Sequence, residues 1–183
     1  KADHQMSFYA ATKKATETMG HSYAHLFDLP ITMFRFFTVY GPWGRPDMAL
    51  SIFTEAIKNN KQLKIFNNGK MMRDFTYIDD VVNALKKIIN KKPKFRKKIN
   101  TSPFRILNIG NNKPIKLNKY VNLIEKHLKK KGNKIPYSMQ QGDVKRTYAS
   151  LKKIKKLIKY SPKTSISIGI KKFVAWHNEY YKK

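Results

Sequence analysis

Tyr9 and Lys13 stand four residues apart in Tyr9-Ala10-Ala11-Thr12-Lys13. In a helix that spacing puts a phenol and an ammonium on one face, residue types able to move a proton. The pattern alone carries little weight. With 10 Tyr and 33 Lys among 183 residues, about two such pairs arise by chance, and a second, Tyr148/Lys152, is present. Other groups suited to binding are Arg45, Arg73 and Asp143. Each also has a plainer reading. Arg45 could be an exposed loop charge, Arg73 could pair with Asp74 or Asp79, and Asp143 could be a turn residue. His21 and His25 share a helical face, but no acidic residue completes a His-Glu-x-x-His motif, so no metal site is expected.

The elements that must position these groups follow from periodicity. Phe8, Ala11, Ala15, Met19, Tyr23 and Leu26 recur at helical spacing, predicting a helix from about Ser7 to Phe27 that Leu29-Pro30 ends. Ile31 to Tyr40 is rich in β-branched and aromatic residues and reads as a buried parallel strand. Gly41-Pro42-Trp43-Gly44-Arg45-Pro46 must be a loop, after which Asp47 can cap a helix to about Asn59. Leu63–Phe66 and Met71–Ile78 read as short strands around the Asn67-Asn68-Gly69 turn. Asp79 or Asp80 starts a helix reaching about Asn90. A basic loop over Lys91–Arg105 leads to a strand over Ile106–Ile109. Three more helices are expected: Leu117 to about Lys131, closed by Gly132; Ser150 to about Lys159; and Ser165–Tyr181. Gln140–Val144 is a polar loop. Alternating helices and short strands indicate an α/β chain.

Context decides between the two Tyr/Lys pairs. Ser7-Phe8-Tyr9-Ala10-Ala11-Thr12-Lys13 is followed by Arg35-Phe36-Phe37-Thr38-Val39-Tyr40-Gly41-Pro42-Trp43-Gly44-Arg45-Pro46-Asp47-Met48, then by Phe66-Asn67, Arg73-Asp74-Phe75-Thr76-Tyr77-Ile78-Asp79-Asp80 and Gly142-Asp143-Val144. In that order and spacing they resemble the extended short-chain dehydrogenase/reductase superfamily. Phe37-Thr38-Val39-Tyr40 and the loop through Met48 resemble its UDP-glucuronate 4-epimerase branch.

The resemblance implies the C-terminal part of a Rossmann-like domain plus a small α/β substrate-binding domain. Residues 1–60 would be the remainder of the NAD-binding domain with the start of the substrate region. Residues 61–183 would be mostly the UDP-sugar domain, with 74–110 partly returning to the Rossmann-like one. It further implies that Tyr9 takes the proton of the sugar 4-hydroxyl while the C4 hydride passes to NAD. Lys13 would stabilise the phenolate and hold a ribose hydroxyl of the cofactor. A unit charge about 4 Å away is worth at most about 4 kcal/mol at an effective dielectric near 20. Phe36 would lie against the cofactor. Thr38 and Arg45 would face the sugar carboxylate, Arg73 would clamp the diphosphate, Asp143 would accept from the uridine ribose, and Phe66 and Asn67 would lie beside the uracil. Gln141 stands where this branch often has Pro. Related activities on the same scaffold are UDP-glucose 4-epimerase, UDP-glucuronate decarboxylase and nucleotide-sugar dehydratase.

No Gly-x-Gly-x-x-Gly loop follows a strand, so the pyrophosphate of NAD has no seat in these residues. The Ser/Thr partner of the catalytic Tyr belongs upstream as well, and this stretch by itself is expected to be inactive. Lys1-Ala2-Asp3-His4 contains no Met, from which a longer reading frame is expected. Zero Cys excludes disulfides and thiolate metal sites and suits a cytoplasmic protein, and no apolar run is long enough to span a bilayer. The net charge of +28 suggests a basic nucleic-acid module as the reading of a different class. Its makeup, 33 Lys against 6 Arg amid abundant Asn and Ile, matches a codon bias instead, and nucleic acid is not the expected partner. The expected partners are a UDP-sugar and a second copy in a homodimer.

Overall fold

The structure, a computed structural model, describes residues 4–94, 102–140 and 142–182; Gln141 and part of the basic loop fall outside them. Helix α1 (Phe8–Leu26) begins where the Ser7 hydroxyl accepts the Ala10 N–H, and ends as Asp28 turns left-handed before Pro30. Strand β1 (Ile31–Phe36) and strand β2 (Thr38–Tyr40) divide the stretch read as one strand. The division has a cause: β1 pairs in parallel with β5 (Phe104–Ile109), whereas β2 pairs in parallel with β4 (Met72–Tyr77). One extended segment thus changes partner at Phe37.

Helix α2 (Ala49–Lys58) starts at Met48 without a side-chain cap, because Asp47 is engaged by Arg45 instead. Strand β3 (Gln62–Phe66) does not pair with β4. The Asn67-Asn68-Gly69 turn between them is a left-handed kink, and β3 runs parallel to β7 (Asn133–Tyr137), an element the sequence did not announce. Gly69 is obligatory there, since a Cβ would lie 1.7 Å from Asn118 Oδ1. Helix α3 (Ile78–Ile88) carries Asp79 and Asp80 in its first turn, and β6 (Pro114–Lys116) adds antiparallel to β4. Helix α4 (Leu117–Leu128) closes on left-handed Lys129 and not on Gly132. Helices α5 (Lys152–Ile158) and α6 (Ile166–Tyr180) complete the chain. Among the described residues no helix is long and apolar enough to cross a membrane.

Two cores result. One joins α2, α4 and α6 to β3 and β4, with Phe75 stacked on Tyr120 at 4.0 Å. The other joins α3 and α5 to β5. Asp74 sits at the hinge of the two, fully buried. Its carboxylate accepts the N–H groups of Asn111 at 2.8 Å, Asn112 at 2.9 Å and Ala149 at 2.9 Å, while its own N–H donates to Thr147 Oγ1. Asp80 likewise accepts from the N–H groups of Lys163 and Thr164, fixing the approach to α6. Helix α1 differs from its sequence reading. Its periodic Phe8, Met19, Tyr23 and Leu26 are all exposed, only Ala24 is buried, and no described residue covers that face.

Candidate active site

Two hollows hold the chemistry. The first, of about 340 Å³, is lined by Gln5, Tyr9, Ala10, Lys13, Lys14, Glu17 and Arg35. Here the first turns of α1 set Tyr9 and Lys13 on one face as their spacing requires, with the Lys13 ammonium 5.4 Å from the centre of the Tyr9 ring. Arg35, projecting from β1, forms a two-pronged pair with Glu17 and shapes the floor. The Arg35 guanidinium in turn holds the Glu17 carboxyl below its usual range. Tyr9 is exposed, whereas Tyr40 and Tyr77 are buried and burial pushes their phenols up. Phe36, at the C-terminal end of β1, is half-exposed beside Phe34, with ring centres 5.8 Å apart. It lines neither hollow.

The second hollow is the larger, about 720 Å³, between α2, β3 and β4. Thr38, Phe66, Arg73 and Asp143 converge on it, although 105 positions separate the first from the last. Each is delivered by a different element. Thr38 begins β2 opposite Phe75, Phe66 ends β3 with its ring 5.8 Å from Tyr137, and Arg73 projects from β4. The walls from α2, β3 and β4 are mostly apolar (Ile52, Phe53, Leu63, Phe75), with Gln62, Lys64 and Arg73 the polar members, as is usual in ligand pockets. Arg73 pairs with neither Asp74 nor Asp79. Its guanidinium donates to Asp143 Oδ1 at 2.6 Å, to the Val144 carbonyl at 2.7 Å and to the Met72 carbonyl at 3.0 Å. Asp143 also accepts the Val144 N–H, which orders the polar loop around the pair.

Arg45 and Asn67 stand outside this lining. The Arg45 guanidinium engages both carboxylate oxygens of Asp47, and Asp47 does line the hollow. Hydrogen bonding to Asp47 raises the Arg45 guanidinium, with the Tyr9 phenol adding a smaller electrostatic pull, and Arg45 lowers the Asp47 carboxyl. Asn67 belongs to the left-handed kink after β3. The sequence reading missed Asp47, taken there for a cap, and Gln140, which also lines the hollow. Its place in the polar loop beside Asp143 was the available signal. No group of three or more His, Cys, Asp or Glu able to hold a metal occurs among the described residues.

Known proteins share much of this sequence and fold. Protein CapI of Staphylococcus aureus is 47% identical over 99% of this chain and 57% of its own length. A probable UDP-glucuronate 4-epimerase of Rhizobium meliloti is 42% identical over 100% of this chain and 57% of its own. The crystal structure of the UDP-glucuronic acid 4-epimerase from Bacillus cereus, in complex with UDP-glucuronic acid and NAD, superposes with a TM-score of 0.85. That match has 33% identity and covers 96% of this chain and 54% of the other. The chain thus spans about half the length of the relatives it matches. The family match itself takes in residues 1–110, through the end of β5, and the chain belongs to the NAD dependent epimerase/dehydratase family.

Proposed function

We propose that this chain is the C-terminal half of a UDP-glucuronate 4-epimerase, a cytoplasmic enzyme that interconverts UDP-glucuronate and UDP-galacturonate. The carrying observation is the convergence of Thr38, Phe66, Arg73 and Asp143 on one apolar-walled hollow. Those four were named from sequence as contacts of a UDP-sugar, and nothing but the tertiary fold brings them together. In this reading Arg73 grips the diphosphate, for which a guanidinium fork is well shaped. Asp143, which already holds that fork, accepts from the ribose, and Phe66 with Asn67 borders the uracil. Tyr9 removes the proton of the 4-hydroxyl and returns it after the 4-keto sugar has turned over. Lys13 stabilises the phenolate, and Lys13 and Phe36 hold the nicotinamide end of NAD. NAD, when bound, supplies a hydride acceptor at C4. The exposed Tyr9–Lys13 face of α1 and the half-exposed Phe36 suit that end of the cofactor, while the pyrophosphate seat lies outside these residues.

The reading divides residues 1–60 and 61–183 between the cofactor domain and the sugar domain. It includes a homodimer, supported by the uncovered apolar face of α1. The nucleic-acid reading has only net charge behind it.

The direct test competes UDP-glucuronate against UDP-glucose over the complete enzyme, with the N-terminal half that relatives carry restored. A buried carboxylate must be met by donors, and Thr38 and Arg45 supply them, whereas a hydroxymethyl group needs neither. The expected preference is at least about a hundredfold in kcat/KM for UDP-glucuronate, shrinking in Arg45→Ala. Equal consumption of the two sugars would transfer the assignment to a glucose epimerase.

Arg73→Ala is expected to raise KM for the UDP-sugar roughly tenfold to a hundredfold with kcat within about threefold. A clamp far from C4 holds ground state and transition state alike. A hundredfold fall in kcat at unchanged KM would refute the clamp.

A further inference from the structure

The loop between β2 and α2 is held in a conformation its own residues disfavour. Gly41 has φ 144° and Trp43, a bulky aromatic, has φ 62°. A non-glycine residue stays in the left-handed region only where its surroundings over-determine it. Trp43 is 74% exposed, and what holds it is ring contact with the last turns of α6. The Trp43 indole lies tilted against Trp176 with ring centres 5.4 Å apart, and edge-on to Tyr180 at 5.0 Å. Trp176 is itself stacked on Tyr180 at 5.3 Å and tilted against Phe173 at 5.5 Å, which ties this platform into the core formed by α2, α4 and α6. The buried Trp176 Nε1 has no hydrogen-bond partner among the described residues, so ring packing sets its place.

A second restraint lies two residues on, where the Arg45 carbonyl accepts the Met48 N–H at 3.2 Å. The same carbonyl accepts the Ser51 hydroxyl at 3.1 Å, and the Arg45 side chain reaches Asp47. Asp47 in turn stands on the wall of the larger hollow. The loop backbone is therefore held at Trp43 by its rings and at Arg45 by hydrogen bonds to its carbonyl, and the guanidinium already holds a carboxylate at the rim.

We propose that Trp43 is a positioning residue for sugar selectivity. By docking on Trp176 and Tyr180 it fixes the loop so that Arg45 can exchange the Asp47 carboxylate for that of the substrate. This rests on the functional reading above, with Arg45 as a carboxylate contact. Trp43 touches no substrate in this account. It acts through the backbone that carries Arg45, and the loss should fall on the carboxylated sugar alone.

The test uses the complete enzyme and three variants, Trp43→Ala, Trp43→Phe and Tyr180→Ala, each checked for an unchanged thermal transition. Trp43→Ala and Tyr180→Ala should each cut the preference for UDP-glucuronate over UDP-glucose about tenfold or more. The loss should come through KM for UDP-glucuronate, with both constants for UDP-glucose within about twofold. Trp43→Phe, which keeps a ring for the platform, should restore the preference to within about threefold of wild type. Equal losses on both sugars, or an unaltered preference in Trp43→Ala, would overturn the proposal. If Trp43→Ala fails to fold, Tyr180→Ala decides by the same criterion. A wild type that consumes both sugars equally sinks the functional reading instead. The docking is then judged by circular dichroism of Trp43 and Trp176, the chain's 2 tryptophans. Their coupled signal should vanish in both Trp43→Phe and Trp176→Phe, and its survival in either would refute the contact.

Discussion

Tyr9→Phe in the complete enzyme should lower kcat roughly a hundredfold to ten-thousandfold, the range of a positioned proton-transfer group. The substitution deletes one hydroxyl and little else. Tyr9 is exposed on the first turn of α1, so no core contact is lost. The Ser7 cap that starts the helix is untouched, and a phenyl ring still lies under the Lys13 ammonium, 5.4 Å away in the parent. Stability and UDP-sugar KM should therefore stay near wild type while turnover collapses. Among the described residues no second phenol lines the hollow that holds Tyr9. Steady-state assay of both directions of the epimerisation checks this. A Tyr9→Phe enzyme within about threefold of wild type removes Tyr9 from the mechanism.

Asp74→Ala should be the most destabilising single substitution at a polar position. It strips the acceptor from three N–H groups, those of Asn111, Asn112 and Ala149, at a residue with no exposed surface. An unsatisfied buried donor costs about 1–3 kcal/mol, so the sum is about 3–6 kcal/mol once partial relaxation is allowed. That is a large part of the roughly 5–15 kcal/mol by which domains are stable. Water can enter less readily than at a surface, since Gly110 packs so closely on Ala149 that a Cβ there would come within 2.3 Å of the Ala149 Cβ. Asp74→Asn retains one acceptor oxygen and should cost less than Ala, though its amide brings donors where donors already crowd. Urea denaturation of the 183-residue chain and of both variants measures this. A loss under about 1 kcal/mol for Asp74→Ala would mean the carboxylate does not join the two cores.

Local patterns were legible wherever neighbours along the chain decide the outcome. The Tyr9–Lys13 face needs only helical spacing, which came out as read, with the helix starting just after Ser7. The bounds of α1, α3 and α6 fall within a few residues of their periodicity, and the Gly/Pro loop carrying Arg45 was unavoidable. The α/β class and the family followed from motifs in order.

What needed the tertiary structure was everything that depends on which segments meet. The pairing of β3 with β7 crosses 67 residues from Phe66 to Asn133, and β7 contains Pro136, a poor strand signal. Periodicity marked Phe8, Met19, Tyr23 and Leu26 as a face meant for burial, but a stripe cannot say whether anything covers it, and no described residue does. The run Arg73-Asp74 with Asp79 offered two carboxylates to one guanidinium. The fold sent Asp74 and Asp80 inward to backbone N–H groups and gave Arg73 to Asp143, 70 residues away. Spacing governs contacts within a turn or two of helix. Desolvation chooses among distant partners, since a buried charge must take whichever donors the fold has stranded beside it, and that choice exists only once the chain has closed on itself.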